Sequence, residues 1–318
     1  MQSFWMPKKQ PLYAPMLSTF GGGSARGFGA GLSGGAVEDV SSIIKDFTWN
    51  SGALNGASAK ESRIHRPSGN CEGFCVTNDG TRLIIFDYSS DIIWQYQLST
   101  AGNPASSSSS STTIFDLSSG SYGGNTRGGR FNPDGDILYV AGQYGFLVFN
   151  YNQSSYTVSL SSYTTYQTWS GGSTSLGANP RGLLYNPNPS GHEILIQDAS
   201  NQRFIGVPVN GTTLDTSATP TIYNVQNADS PYFDGNYFTS SVIVNDGNDV
   251  LVGTQNGRIG MYSMSTAYDF SSLSSTPTDY ITNALGNDTQ QTRDLYINDS
   301  GQVFSSYSSQ HKITRWTN

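Results

Sequence analysis

The sequence has few charged residues and no long apolar run. Charged side chains make up 12% of its 318 residues, about half of the roughly 25% usual in soluble domains. Coiled coils and helical bundles need Glu, Lys, Arg, Leu and Ala in bulk, so this composition excludes both. No stretch of about 18 apolar residues is present, so we expect no membrane span. The net charge of −7 argues against general nucleic-acid binding, because phosphate binding needs a basic surface.

Cysteine is also scarce, since Cys71 and Cys75 are the only two in the chain. Four residues of extended strand span about 13 Å, which is beyond the reach of a disulfide, so we expect both thiols to be reduced. With only His65 as a third candidate ligand, the pair is a weak metal-binding pattern. We predict no metal site and no cofactor. The N-terminus lacks the apolar core of a signal peptide, so we expect synthesis in a host cytoplasm.

The sequence does contain an internal repeat. An apolar run, a turn rich in Asx and Gly, and a second apolar run recur five times, as around Asp79-Gly80 and Asp134-Gly135. Glycine accepts the positive φ that tight hairpin turns require. The anchoring glycines of the five copies are separated by 55, 56, 56 and 54 residues: Gly80, Gly135, Gly191, Gly247 and Gly301. A third apolar strand follows in every copy, and a weaker fourth strand follows in the first four.

Four antiparallel strands in a repeat of about 55 residues are typical of a propeller blade. We therefore predict an all-β fold, a five-bladed β-propeller over residues 41–318, preceded by an extended arm over residues 1–40. The fifth copy has three strands before the chain ends at Asn318, and residues 43–49 have the phase of an outer strand. We expect that segment to complete the last blade in a 3+1 strand closure. The alternative, a β-sandwich with a pseudo-repeat, does not explain the regular period.

The repeats over residues 43–317 resemble the broad YVTN/WD40-like class of β-propellers. The resemblance lies in the strand–Asx-Gly–strand motif, and the GH…WD pattern is absent, so it implies an architecture and no single functional family. One low-complexity segment, Ala105 with the serines of 106–111, is expected to be a flexible connector between the third and fourth strands of the first blade.

Residues 1–40 do not belong to the repeat. The segment is rich in glycine, which loses the most conformational entropy on ordering, so it cannot form a core of its own. Two interpretations stay open: a disordered tail, or an arm that docks on a partner surface. Apolar anchors are spaced along the segment, together with one arginine, and the candidate docking residues are Phe4, Trp5, Tyr13, Met16, Phe20, Arg26 and Phe28.

The stretch from Tyr13 to Gly29 resembles a short N-terminal signature on structural proteins of marine, cyanophage-like tailed phages. This resemblance implies a virion protein that is held through its N-terminus and displays a β-rich domain. We therefore predict a bacteriophage virion structural protein, in the tail or a tail appendage, whose partners are other virion proteins. The alternatives are a lectin-like adhesin that binds a host surface glycan or, with less support, a polysaccharide hydrolase or lyase.

No nucleophile elbow, HExxH motif or Walker loop is present, and we predict no catalytic residues and no enzymatic activity. One charged or polar residue does recur at the start of each predicted inner strand, at one phase: Glu72, Arg127, Arg181, Thr239 and Arg293. These residues could form an anion-binding channel mouth, or each could pair with a neighbouring blade and hold the blades together. A position repeated around a closed ring favours the second interpretation. A sialidase-like site would use three arginines, but the Asp-box of that family is absent.

Overall fold

A computed structural model describes 15 stretches of the chain, namely residues 61–62, 71–118, 120, 122, 125–165, 180–188, 191–199, 201–210, 213–215, 217–225, 238–255, 259–281, 292–297, 303–307 and 312–315. These stretches consist of β-strands, turns and short 3-10 segments. The predicted arm with all of its docking residues, and the predicted closing strand over residues 43–49, lie outside the described residues.

The described strands pair into five antiparallel sheets. Sheet 1 contains β2 (Cys71–Val76), β3 (Arg82–Asp87), β4 (Ile92–Leu98) and β5 (Ser107–Asp116). Sheet 2 contains β6 (Thr126–Phe131), β7 (Ile137–Gly142), β8 (Gly145–Asn152) and β9 (Thr157–Thr165). Sheet 3 contains β10 (Pro180–Asn186), β11 (Glu193–Asp198), β12 (Arg203–Asn210), β13 (Thr213–Leu214) and β14 (Thr221–Asn224). Sheet 4 contains β15 (Phe238–Val244), β16 (Asp249–Thr254), β17 (Ile259–Ser263) and β18 (Asp279–Ile281).

Sheet 5 combines strands from the two ends of the described chain. It contains β1 (Glu61–Ser62), β19 (Thr292–Ile297), β20 (Val303–Tyr307) and β21 (Lys312–Arg315). The strand order is β1-β21-β20-β19, and Glu61 lies opposite Arg315 in the antiparallel register. The N-terminal strand beside β21 is therefore Glu61–Ser62, which comes later in the chain than the segment predicted for this position.

The sheets follow one another around a common axis. The inner strands make contacts in cyclic order: β2 with β6, β6 with β10, β10 with β15, β15 with β19, and β19 with β2. Sheets that present one inner strand each to a shared centre form a β-propeller. The all-β class and the propeller arrangement predicted from the repeat are confirmed.

The hydrophobic core lies between neighbouring sheets. Phe86 of sheet 1 packs in one buried cluster with Val140 and Phe149 of sheet 2, and similar clusters fill the spaces between the other sheets. The second strands are buried on both faces, as in β7, which explains its continuous apolar run. Each fully buried Phe or Val contributes about 1.5–3 kcal/mol before entropy costs.

Tight turns connect the first two strands of the sheets and also connect neighbouring sheets. Gly80 and Gly135 have φ values of +70° and +73°, the left-handed conformation that the Asx-Gly pattern predicts. The side chain of Asn78 donates from Nδ2 to the carbonyls of Asn132 at 3.2 Å and Pro133 at 2.7 Å. These bonds join the turn of sheet 1 to the equivalent turn of sheet 2.

The serine-rich segment is a strand for most of its length, so the prediction of a flexible connector is wrong there. The ladder of β4 and β5 extends to the pair Leu98–Ser107, and a 3-10 turn over Pro104–Ser106 precedes it. Side chains of β5 are half-buried or exposed along its whole length. At an outer edge the backbone gains ladder hydrogen bonds while the serine hydroxyls stay near solvent, so no apolar pattern is needed.

Candidate functional site

Each inner strand contains a β-bulge at its charged or polar ring residue. The ladder between β2 and β3 shifts register between Cys71 and Gly73, which leaves Glu72 out of the pairing. Shifts that skip one residue occur at Arg127, Thr239 and Arg293, and in β10 the shift between Pro180 and Leu183 leaves out both Arg181 and Gly182. Bulges redirect side chains and are common beside binding sites. The charged or polar position that recurs in the sequence therefore coincides with a β-bulge in each inner strand.

Three arginines from three different sheets contact one carboxylate oxygen. The Nη1 atoms of Arg127, Arg181 and Arg293 lie 3.5, 3.3 and 3.4 Å from Oε2 of Glu72. The Glu72 side chain is 4% exposed, and those of Arg127, Arg181 and Arg293 are 6%, 13% and 10% exposed. We call these four residues the axial cluster. The structure thus brings together the four charged ring residues that the sequence singles out.

The axial cluster carries more positive than negative charge. Among the described residues, three guanidinium groups contact the single carboxylate of Glu72. Because their Nη1 atoms share one oxygen neighbour, any two of them lie within about 7 Å, where mutual repulsion is about 2 kcal/mol at the usual effective dielectric constant. Burial, together with Arg293 and Arg127, lowers the pKa of Arg181 to about 10. Burial also lowers the pKa of Arg293.

The ring of Tyr88 orients the Arg127 side chain in the axial cluster. The guanidinium of Arg127 stacks on Tyr88, with Cζ 4.1 Å from the ring centroid, a favourable cation–π geometry. Nε of Arg127 and Nε of Arg181 are buried donors that find no acceptor among the described residues.

A Cβ on Gly73 would lie 2.7 Å from the carbonyl oxygen of Arg127. Glycine at this position therefore allows β2 and β6 to approach closely at the axis.

A second charged cluster near the axis is electrically balanced. Arg130 donates from Nη1 to Oδ2 of Asp294 at 3.0 Å and forms an ion pair with it through Nη2. Both side chains are 4% exposed. The same carboxylate accepts the backbone N–H of Phe74 at 3.0 Å, and Arg130 also donates to the carbonyl of Phe74. Burial alone would lower the pKa of Arg130, but Asp294 raises it. We call Arg130 and Asp294 the balanced pair.

Sequence reasoning missed the balanced pair, although a signal was present. The residue after each ring position is small in four strands: Gly73, Gly128, Gly182 and Ser240. In the fifth strand it is Asp294. A buried acid at a position otherwise occupied by small residues needs a cationic partner. Arg130, three residues after Arg127, is the residue that provides it.

A polar groove lies between the outer strands of sheets 1 and 2. Its volume is about 700 Å³, and its walls include Arg82, Gln97, Thr112 and Tyr156. The guanidinium of Arg82 covers the ring of Tyr156, with Cζ 3.8 Å from the centroid, so this ring face is occupied. Among the described residues, Tyr144 is the one exposed large hydrophobic side chain.

Sheet 3 contains a buried carboxyl group surrounded by neutral donors. Glu193 is 6% exposed, and its Oε1 accepts from Asn186 Nδ2 at 2.8 Å while its Oε2 accepts from the Tyr223 hydroxyl at 3.1 Å. Burial raises the pKa of Glu193, and nearby Asp269 raises it further. This group is therefore easier to protonate in the folded protein than in the unfolded chain.

In the part of the chain that the structure describes, no group of three or more His, Cys, Asp or Glu side chains is placed to hold a metal ion. Both Cys71 and Cys75 are buried, and burial strongly raises the pKa of the Cys75 thiol. Within the same ranges, no helix has the length and apolar character that crossing a bilayer would take.

Comparison with known proteins shows likeness at the level of fold. No protein-family model matches the chain, and no curated protein matches it. Among solved structures, the β-propeller domain of Cps50 (Swd1) from Myceliophteria thermophila is similar, at 13% identity and a TM-score of 0.42, over 78% of this chain and 64% of that one. A functionally unknown protein from Desulfotomaculum acetoxidans is similar at 12% identity and a TM-score of 0.44, over 73% and 61%. A Trichoderma reesei protein of carbohydrate-active enzyme family AA12 is similar at 10% identity and a TM-score of 0.47, over 84% and 99%.

The matches to the first two of these structures span less than two thirds of those chains. At 10–13% identity the likeness concerns the fold alone, and it transfers no activity or ligand to this chain.

Proposed function

We propose that this chain is a bacteriophage virion structural protein of the tail or a tail appendage. In this proposal a closed, five-bladed β-propeller is displayed on the particle, and residues 1–40 dock it to other virion proteins. The observation that carries the proposal is that each of the five described sheets has at least four strands without any residue of the arm. The arm is therefore not required as a strand of these sheets and can bind a partner.

The five-blade count is supported by the five described sheets and by the cyclic contacts of their inner strands. The 3+1 closure is supported by the pairing of β1 with β21. Closing a ring with strands from both ends of the chain removes the open sheet edge that would otherwise invite aggregation. A closed propeller suits a display role, because its folding does not depend on the partner that holds it.

The docking role is tested with a Phe20→Ala, Phe28→Ala double variant of the full chain. Burying two phenylalanines in a partner contributes about 3–6 kcal/mol before ordering costs, so their loss should sharply reduce incorporation into particles. Incorporation is measured by quantitative mass spectrometry and immunogold labelling of purified particles. The melting temperature of the free protein should stay unchanged.

The matched control is a Leu12→Ala, Val37→Ala double variant, which removes two apolar side chains of the arm outside the proposed anchors. It should be incorporated normally. Absence of the wild-type chain from particles would refute the virion role. Normal incorporation of the phenylalanine variant would refute docking through these anchors, and a large drop in its melting temperature would place the arm on its own propeller.

The second candidate function is binding of a host surface glycan by a lectin-like adhesin. The observation that favours it is the groove between sheets 1 and 2, whose hydroxyl, amide and guanidinium groups match the hydrogen-bonding needs of sugars. The test is a glycan array probed with the full chain and with an Arg82→Ala, Gln97→Ala variant. Binding that the variant loses supports this function, and no binding by the wild type counts against it. Release of sugars from a bound polysaccharide would instead indicate the hydrolase or lyase.

A further inference from the structure

We propose that the polar groove between sheets 1 and 2 binds an acidic oligosaccharide, with the carboxylate of a uronic acid unit held by Arg82 and Gln95. This inference rests on the second candidate function, glycan binding, and names the class of glycan. It requires a negative charge on the ligand, which glycan binding by itself does not. The site lies between outer strands and does not involve the axial cluster.

The walls of the groove are polar at positions that are apolar in the neighbouring sheet. Arg82 is the first residue of β3, and Ile137 is the first residue of β7. Gln95 lies opposite the third residue of β3, and Val148 lies opposite the third residue of β7. Ile137 and Val148 pack in the buried cluster between sheets 2 and 3, whereas Arg82 and Gln95 line the groove. The propeller therefore accepts apolar residues at these positions, and the polar pair is not required by the fold.

The charge of Arg82 is available to a ligand. Among the described residues, no carboxylate lies within ion-pair distance of it, and no acidic residue lines the groove. Arg82 Nη1 donates to the carbonyl of Thr81 at 3.0 Å, and a guanidinium has five N–H donors in all. The ring of Tyr156 covers one face of the guanidinium. Its in-plane donors can therefore form the forked pair with a carboxylate that arginine favours.

The ring of Tyr156 is itself held in place by an acid that does not line the groove. The Tyr156 hydroxyl donates to Oδ2 of Asp79 at 3.3 Å. Asp79 also accepts from the hydroxyls of Thr77 at 2.6 Å and Thr81 at 2.8 Å. Burial opposes the ionisation of Asp79, but these hydrogen bonds lower its pKa. The carboxylate of Asp79 is thus compensated by hydroxyl donors, and it orients the ring on which Arg82 lies.

Gln95 provides a second, largely buried donor in the groove. Its side chain lines the groove, although the residue is 8% exposed. Its Oε1 accepts from the Tyr151 hydroxyl at 3.1 Å, and burial raises the pKa of Tyr151, so that hydroxyl stays protonated. With Oε1 engaged, the amide has its two N–H donors left for an acceptor in the groove. A buried amide that lacks a partner for its donors is costly, and a carboxylate oxygen supplies one.

The remaining walls match the other groups of a sugar. The groove has a volume of about 700 Å³, within the range of about 300–1,000 Å³ usual for ligand sites. Ser110 and Thr112 add hydroxyl groups that can pair with those of a sugar. A second cavity of about 510 Å³ shares Thr157 and Val158 with the groove, so a chain of sugars can continue into it. Because Asp136 lines that second cavity, the acidic unit belongs beside Arg82.

The experiment compares acidic glycans with neutral versions of the same chains. The full chain is titrated, at physiological ionic strength, with oligogalacturonate, alginate, hyaluronan and unsulfated chondroitin, each beside its carboxyl-reduced counterpart. Wild type should bind at least one acidic glycan. Carboxyl reduction should weaken that binding by about tenfold or more, since it removes hydrogen bonds to a charged group.

A charge change inside the groove tests the location of the site. Gln97 is exposed and lies opposite Arg82 in the ladder of β3 and β4. Gln97→Glu should weaken binding of the acidic glycan by about tenfold and leave binding of the carboxyl-reduced glycan unchanged, whereas Gln97→Lys should strengthen acidic binding. The matched control is Asn210→Asp, the same amide-to-acid change at the exposed end of β12 in sheet 3. It should bind as wild type does, and the melting temperature of each variant confirms that it is folded.

The outcomes separate this inference from the function on which it rests. Equal binding of acidic and carboxyl-reduced glycans, unaffected by Gln97→Glu, would overturn the carboxylate site and leave the lectin-like function standing. Binding of no glycan at all would overturn both. Loss of acidic binding in Asn210→Asp as large as in Gln97→Glu would place the effect in the net charge of the protein and overturn the site. Dextran sulfate bound as tightly as the acidic glycans would show a general attraction of polyanions, with the same consequence.

Discussion

The two charged clusters near the propeller axis differ in charge balance and in access to solvent. The balanced pair matches one arginine with one aspartate, and the carboxylate also accepts a backbone N–H of sheet 1. The axial cluster sets three arginines against one glutamate and reaches solvent through Arg181. A buried ion pair is well tolerated only when its charges and hydrogen bonds are satisfied. Both clusters join inner strands of different sheets, and they differ in how far the described residues compensate the buried charge.

The largest expected effect follows from breaking the balanced pair. Asp294→Asn leaves Arg130 buried without a counter-charge and weakens the acceptor of the Phe74 N–H. We expect the free energy of unfolding to fall by about 3–5 kcal/mol, measured by denaturant titration. Asp134→Asn is the matched control, because Asp134 is exposed in a turn, and its unfolding midpoint should barely move. A midpoint for Asp294→Asn equal to that of the control would show that the pair is dispensable.

A smaller effect of opposite sign is expected from the axial cluster. Arg181→Met removes one of the three guanidinium groups around Glu72 while keeping much of the side-chain volume. We expect the free energy of unfolding to rise by about 1 kcal/mol, because repulsion with two arginines is relieved. Denaturant titrations in low-salt buffer measure this change. A loss of stability comparable to that of Asp294→Asn would mean that the two clusters have the same structural role.

The smallest effect concerns Glu193, a buried carboxyl that has neutral donors in place of an arginine. Because burial raises its pKa in the folded state, its contribution to stability is fully present below the unfolded pKa. That contribution is lost as pH rises through the folded pKa. Glu193→Gln should remove this decrease, which is measured as the unfolding midpoint across pH 4–8 relative to wild type. An unchanged pH profile would show that the carboxyl does not titrate differently in the two states.

Much of the fold follows from local sequence because its repeating element is local. An apolar strand, a turn that demands positive φ and a second apolar strand are all defined within about 15 residues, as around Gly80 and Gly135. The phase of the ring residues was also visible, since the same position recurs in each copy. The outer strands were harder to place, because β5 is polar and is held by the ladder of β4 more than by its own side chains.

The candidate site was predictable in part. The sequence identifies Glu72 and the three arginines, yet it does not show that all three reach the same oxygen, because that depends on how far each inner strand lies from the axis. The partnership of Arg130 with Asp294 joins residues 164 positions apart. Such long-range pairing is set by ring closure, which single-repeat patterns do not contain. The closing strand could not be placed from the repeat pattern either, since its position depends on the length of the connection from β1 to β2.

The bulges have a consequence for how such a ring can change during evolution. A residue that the ladder skips can be replaced without altering strand register, since no cross-strand partner depends on its identity. Thr239 already stands where three other strands have arginine. Four of the five positions meet in the axial cluster, so a substitution at one of them changes the charge that the other three contact. The charge pattern at the axis can therefore change through these positions while the strand register of the sheets is kept.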